Sequence, residues 1–232
     1  MGHSKASKAN THSRLVQAAA GRFKERGIDG ISLADLMKDL KLTHGGFYKH
    51  FGSRDELVTE ALALALGETG QAMRERLFPD GKPDVGAFVD FYLDEAHRDE
   101  RAAGCAVAAL AVDAARKGAD VQAQFRESIE ANLDSLSEAL GPQPAGVSRE
   151  AGDTRAAGDT RAAGDARPKA LWVLSALYGA LIMARAVGDS PLSTEILGTV
   201  RRQIGSLTAP SKSLTTPAKK RRAPAKNRKA RS

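Results

Sequence analysis

A single cysteine, Cys105, among 232 residues excludes an intrachain disulfide, and no cysteine–histidine spacing of a zinc site accompanies it. The chain therefore reads as one kept in a reducing cytoplasm. No long apolar stretch opens it, so no signal segment is expected. Its most apolar run, residues 171–184, is shorter than the roughly 20 residues a bilayer crossing takes, which argues for a helix buried on all sides and against a membrane partner. A glycine-rich phosphate loop, a nucleophile elbow and a metal-ligand spacing are missing too, so neither an enzyme, a cofactor nor a metal is expected. The nearest thing to a catalytic cluster is His97 among Asp94, Glu95, Asp99 and Glu100. On a helix these spread over several faces and read as solvated surface.

Aromatics are scarce at 5%, while 42% of residues are hydrophobic and alanine is abundant, a composition that suits an all-α fold of closely packed helices. The net charge of +7 is unevenly placed. Residues 1–57 carry 10 Lys/Arg against 6 Asp/Glu, the middle of the chain is acidic, and residues 211–232 hold 9 basic residues and no acidic one. Basic ends around an acidic middle point to contact with a polyanion at the ends.

Residues 32–51 organise the rest. Leu33, Leu36, Met37 and Leu40 have the spacing of one buried helix face, with Ser32 ahead of them as a capping side chain. Lys41-Leu42-Thr43 breaks the pattern, and Thr43 stands ready to cap a second helix over 44–51. Two short helices joined by about three residues form a helix-turn-helix. His44-Gly45-Gly46 opens the second helix, and two glycines there cost roughly 1 kcal/mol each relative to alanine. A close approach of backbone to a neighbouring surface would offset that cost. Phe47 and Phe51 can pack inward while Tyr48, Lys49 and His50 lie on other faces.

The run Thr43-His44-Gly45-Gly46-Phe47-Tyr48-Lys49-His50-Phe51 resembles the recognition-helix signature of the TetR (tetracycline-repressor-like) family. Phe23, Gly27, Gly30 and Ser32 fit the same pattern, as does Ser53-Arg54-Asp55-Glu56-Leu57, and the likeness covers about residues 12–65. It implies an amino-terminal three-helix domain that binds double-stranded DNA, a carboxy-terminal helical domain that senses a small molecule and pairs two chains into a homodimer, and action as a transcriptional regulator. By this resemblance Ser32, Thr43, Tyr48, Lys49 and His50 anchor the DNA backbone. Thr43, His44, Gly45 and Gly46 lie nearest the groove, and His44 and Lys49 have donors long enough for purine edges. Gly46 departs from the family pattern at a variable position and leaves base preference open.

Read in order, residues 1–9 form a flexible arm and residues 10–67 the DNA-binding domain, with the helix-turn-helix at 32–51. Leu15, Val16, Ala19, Ala20 and Phe23 stripe a helix over 10–26 that stops at Gly27. A capping box at Ser53–Glu56 starts a long helix toward Leu77. A regulatory and dimerisation domain over 68–207 is expected to hold helices at 84–97, 102–117, 119–140, 168–187 and 193–207. Residues 171–184 and Ile196, Leu197, Val200, Ile204 and Leu207 are the expected pairing surface. A six-residue repeat starting at Gly152 and Gly158, with a third copy begun at Gly164, reads as a flexible loop over 141–167. Residues 208–232 read as a disordered basic tail.

Phe88, Phe91, Tyr92, Phe125, Trp172, Tyr178 and Met183 are candidates for lining an effector pocket. Cys105, after Gly104 at a helix start, resembles the glycine–cysteine pair of some electrophile-responsive members of the family, and a helix N-terminus can lower a thiol pKa. The function expected is a repressor released from a near-palindromic operator by a small ligand or an electrophile. The alternative is an architectural protein that binds DNA through its basic tail with little regard to sequence. Deleting residues 209–232 is expected to flatten the salt dependence of DNA binding and weaken it on all sequences alike, as read in shift assays across a salt series. A changed preferred sequence would contradict this reading of the tail.

Overall fold

A computed structural model describes residues 5–141 and 160–208. Those residues form ten α-helices, with α1 over Lys5–Arg26, α2 over Leu33–Asp39, α3 over His44–Phe47 and α4 over Arg54–Leu77. A 3₁₀ turn at Pro79–Gly81 leads to α5 (Val85–Tyr92) and α6 (Glu95–Asp99). After them come α7 (Ala106–Ala115), α8 (Ala119–Leu140), α9 (Thr160–Ala186) and α10 (Pro191–Thr208). The all-helical expectation is met among the described residues. The basic tail beyond residue 208 and most of the repeat segment lie outside them.

The amino-terminal unit is built as its local chemistry dictates. Leu15, Ala19 and Phe23 of α1 bury one face against Leu36 and Met37 of α2, Phe47 and Phe51, and Leu57, Ala61 and Leu62 of α4. Gly27 stops α1 at φ +82°, a conformation that suits glycine, with its N–H donating to Phe23 O at 2.8 Å. Ser32 Oγ accepts the Asp35 N–H and Ser53 Oγ accepts the Glu56 N–H, each at 3.1 Å, and the Glu56 carboxylate in turn accepts the Gly52 N–H.

Several boundaries differ from expectation. α1 starts at Lys5 instead of residue 10, so most of the expected arm is helical. The expected helix over 84–97 is two, because Asp94 caps a fresh start by accepting the Ala96 N–H at 2.9 Å. α9 begins at Thr160, so the last part of the repeat is helix rather than loop. Alanine and arginine are strong helix formers, and Arg167 ties this end to Glu130 and Asp134 of α8. Residues 166–186 are therefore long and apolar enough to cross a membrane by length and composition, contrary to the sequence estimate. Ala170, Val173, Leu174, Leu177, Ala180, Leu181 and Ala184 nevertheless press into the core of this chain.

That helix is not buried on all sides. Leu171, Trp172, Ile182 and Met183 form an exposed stripe along it, extended by Val187 and by Leu192 at the start of α10. Leu197 and Ile204, expected at a pairing surface, belong instead to the internal core.

Besides α1, two helices join the amino-terminal unit to the remainder. α4 is continuous through both, and α7 reaches back to the α1–α2 loop, where Asp113 Oδ2 accepts the Ile28 N–H at 3.2 Å and Lys117 Nζ meets Asp29 Oδ1 at 2.9 Å. Arg54 reinforces the same loop by donating to the Ile28 and Ile31 carbonyls. Replacing Asp113 with Ala leaves the Ile28 N–H without its acceptor. It is expected to cost about 1 kcal/mol in urea unfolding and to speed amide exchange at Ile28. Unchanged exchange there would mean that the contact carries no load.

Candidate nucleic-acid interface and internal cavity

The turn-and-helix segment over 43–51 is shorter as an α-helix than its sequence suggests. α3 ends at Phe47, after which Lys49 N–H donates to Gly46 O at 3.3 Å and His50 N–H to Phe47 O at 2.8 Å, the tighter i→i−3 pattern. With two glycines in one turn there is little side-chain packing to hold an α-helical continuation. Thr43 caps the start, its Oγ1 accepting the Gly46 N–H at 3.2 Å. Phe47 and Phe51 are buried and stacked at 5.3 Å, and they fix the segment from beneath.

The side chains expected to meet DNA are on the outer side. Ser32, Thr43, Gly45, Tyr48 and Lys49 are exposed, Tyr48 to 59%, while Gly46 and His50 are half-buried. The backbone of His44 opens α3, but its side chain lies outside the described residues. His50 Nδ1 is buried with no hydrogen-bond partner among the described residues, and burial first, then His12, Lys8 and Lys49, holds its pKa below the ordinary histidine value. His12 of α1 stacks on Phe51 at 4.4 Å while its Nε2 meets Glu60 of α4 at 2.7 Å, so α1 grips the end of this segment.

A cavity of about 340 Å³ opens among α1, α4, α5, α6, α9 and the start of α7. Of the expected lining residues it gathers Phe88, Phe91, Tyr92, Cys105 and Tyr178. Phe125 is core instead, and Trp172 and Met183 are exposed on α9. Sequence reasoning missed Lys24 of α1, Thr69, Met73 and Arg76 of α4, and His97. Lys24 could have been found, since Val16, Ala20 and Lys24 follow at i, i+4 and i+8 on one helix face.

His97 is a correction. It is buried, because the break at Asp94 turns α6 back onto the cavity. The Cys105 N–H donates to its Nε2 at 3.2 Å, which leaves Nδ1 as the protonated nitrogen, donating to Tyr92 O at 2.8 Å. Burial lowers its pKa against the opposing Tyr92 hydrogen bond, so the ring is neutral. Gly104 is required by this packing. A Cβ there would stand 2.7 Å from Arg185 Nη2 and 3.0 Å from Glu100 O.

Cys105 caps α7, its Sγ accepting the Ala108 N–H at 3.5 Å. The expected lowering of its pKa is outweighed. Burial pushes the thiol up, and the neighbouring Tyr92 side chain and the backbone N–H groups at Ala108 and Val107 only partly offset this. Tyr92 is pushed up as well, by burial first, and its hydroxyl has no hydrogen-bond partner among the described residues. Lys24, 8% exposed, is pulled below the ordinary lysine value by burial, with Glu68 and Cys105 opposing.

Residues 15–61 match the sequence model of the family described as "Bacterial regulatory proteins, tetR family". The chain is similar to the HTH-type transcriptional regulator YvdT of Bacillus subtilis, 29% identical over 84 residues that cover 36% of this chain and 42% of that protein. It is similar also to the HTH-type transcriptional repressor Rv3405c of Mycobacterium tuberculosis, 31% identical over 31% of this chain and 36% of that one. It thus spans less than half the length of these relatives. Among solved structures, the reduced form of Escherichia coli NemR superposes with a TM-score of 0.63 at 17% identity, covering 85% of this chain and 96% of that one. A TetR-family regulator from Cytophaga hutchinsonii gives 0.67 at 17%, over 90% and 97%. These last likenesses establish the fold.

Because the thiol is held protonated, alkylation of Cys105 by N-ethylmaleimide is expected to be slower at pH 7 than that of a free cysteine and to quicken as pH rises, as measured by mass spectrometry of the native protein. A rate at pH 7 equal to that of an exposed thiolate would contradict the burial argument.

Proposed function

We propose, from the match of residues 15–61 to the tetR family of bacterial regulatory proteins, that this chain is a sequence-specific DNA-binding regulator, a repressor that releases a near-palindromic operator when a small molecule fills its cavity. One observation carries the reading. α1 has His12 against Phe51 at the DNA-reading end and Lys24 in the cavity wall, so one rigid rod touches both places. Twelve residues of helix separate them, about 18 Å.

The chemistry at each end supports the roles. Ser32, Thr43, Tyr48, Lys49 and His50 meet phosphates, and His44, Lys49 and the backbone at Gly45 and Gly46 approach base edges. Readout through so few donors is sparse and draws partly on DNA shape. The exposed apolar stripe of Leu171, Trp172, Ile182 and Met183 supports pairing of two chains into a homodimer, since such a stripe is costly to leave in water. Two DNA-reading segments then sit about 34–36 Å apart, or a small multiple of that. Release by reversible occupancy fits better than release by an electrophile, given a buried and protonated Cys105.

The double variant Tyr48→Ala with His50→Ala is expected to lose roughly tenfold or more in operator affinity at fixed salt, two charge-assisted or phenolic contacts per subunit being removed. Undiminished affinity in the shift assay would refute the assignment.

A further inference from the structure

The effector site just argued for has a polar pattern that names its ligand class, and the following inference rests on that reading. We propose that the cavity takes a small aromatic monocarboxylate, its acid group set against Lys24 and the Tyr92 hydroxyl and its ring system among Phe88, Phe91 and Tyr178.

The size and walls come first. A space of about 340 Å³ is at the small end for ligand sites and admits a one- or two-ring molecule. Phe88, Phe91, Tyr92 and Tyr178 line it with Ala72, Met73 and Ala102, surfaces that favour a flat apolar body.

Two polar groups in this wall are donors suited to an acid. Lys24 is mostly buried and lines the cavity, with the exposed Glu68 as its carboxylate neighbour. The Tyr92 hydroxyl is fully enclosed beside the Cys105 thiol and has no hydrogen-bond partner among the described residues. A buried hydroxyl left unsatisfied costs free energy, and the Lys24 ammonium on the same wall is a second donor suited to a carboxylate.

The surrounding charge agrees in sign. Arg76 stands over Phe91 at 3.9 Å at the cavity rim, and Arg185, donating to the His97 and Arg98 carbonyls, adds a second cation close behind the wall. His97 contributes no charge. Glu68 is the one carboxylate in the lining, and it is exposed, so water screens it. An organic cation would meet Lys24 and Arg76 unpaired, and a neutral molecule would leave the ammonium as it is. A dianion would bring a second charge into a wall that is otherwise apolar.

The test uses the full chain and titration calorimetry with 2-naphthoate, 2-naphthamide and 2-naphthylmethylammonium, three probes of nearly one shape. The wild type is expected to bind 2-naphthoate roughly tenfold or more tighter than 2-naphthamide, with the ammonium weakest. Lys24→Met, a neutral side chain of similar length, is expected to abolish the preference, and Lys24→Arg to keep it. Circular dichroism melts of each variant exclude unfolding as the cause. Equal binding of acid and amide, tighter binding of the ammonium, an unchanged preference in Lys24→Met, or no binding of 2-naphthoate at millimolar concentration would overturn the proposal. Shift assays with the same probes separate the two readings. Lys24-dependent binding of 2-naphthoate that leaves the DNA complex intact upholds the ligand class and refutes the effector role. Release by 2-naphthamide but not by 2-naphthoate does the reverse.

Discussion

The continuity of α4 is the constraint on which the rest of the molecule depends. Its 24 residues begin at a Ser53 cap just after the helix-turn-helix segment and end at Leu77, with no break between. Leu57, Ala61 and Leu62 serve the amino-terminal core, whereas Thr69, Ala72, Met73 and Arg76 serve the cavity wall. A helix of that length, about 36 Å, cannot bend locally without breaking backbone hydrogen bonds. The one helix thus carries side chains of both the amino-terminal core and the cavity wall.

α1 and α7 brace that helix. Thr69 Oγ1 accepts the Ala106 N–H at 3.0 Å, fastening the first turn of α7 to α4 beside the cavity. The far end of α7 presents Asp113 and Lys117 to the loop over 27–29. The cavity thus sits where three rods converge, and each leaves it toward the same small core. Around it the protein tolerates two costly arrangements: a mostly buried lysine and, among the described residues, a phenol without a hydrogen-bond partner. Packing elsewhere supplies the stability that offsets them.

Much of this was legible in the chain because caps and helix stripes are local chemistry. Ser32, Thr43 and Ser53 each cap the helix that follows, and Leu36, Met37, Phe47 and Phe51 are buried as their spacing requires. What was not legible depends on partners far along the sequence. The burial of His97 is decided by Arg185 and the Cys105 N–H, and Asp94 marks the break that brings it there. The early start of α9 rests on α8 carboxylates meeting Arg167. Lys24 carried a readable signal on the face of Val16 and Ala20, but that face contacts α7 only because the chain returns some eighty residues later to Asp113.

The placement of Trp172 has an optical corollary. It is the sole tryptophan of the chain, 48% exposed on the apolar stripe of α9 and apart from the cavity wall. Its emission colour follows the wetness of that stripe, shifting blue when another surface dries it, whereas a guest among the phenylalanines leaves the indole in the same surroundings. One chromophore therefore reports natively on whatever covers that stripe, at a place separate from the cavity.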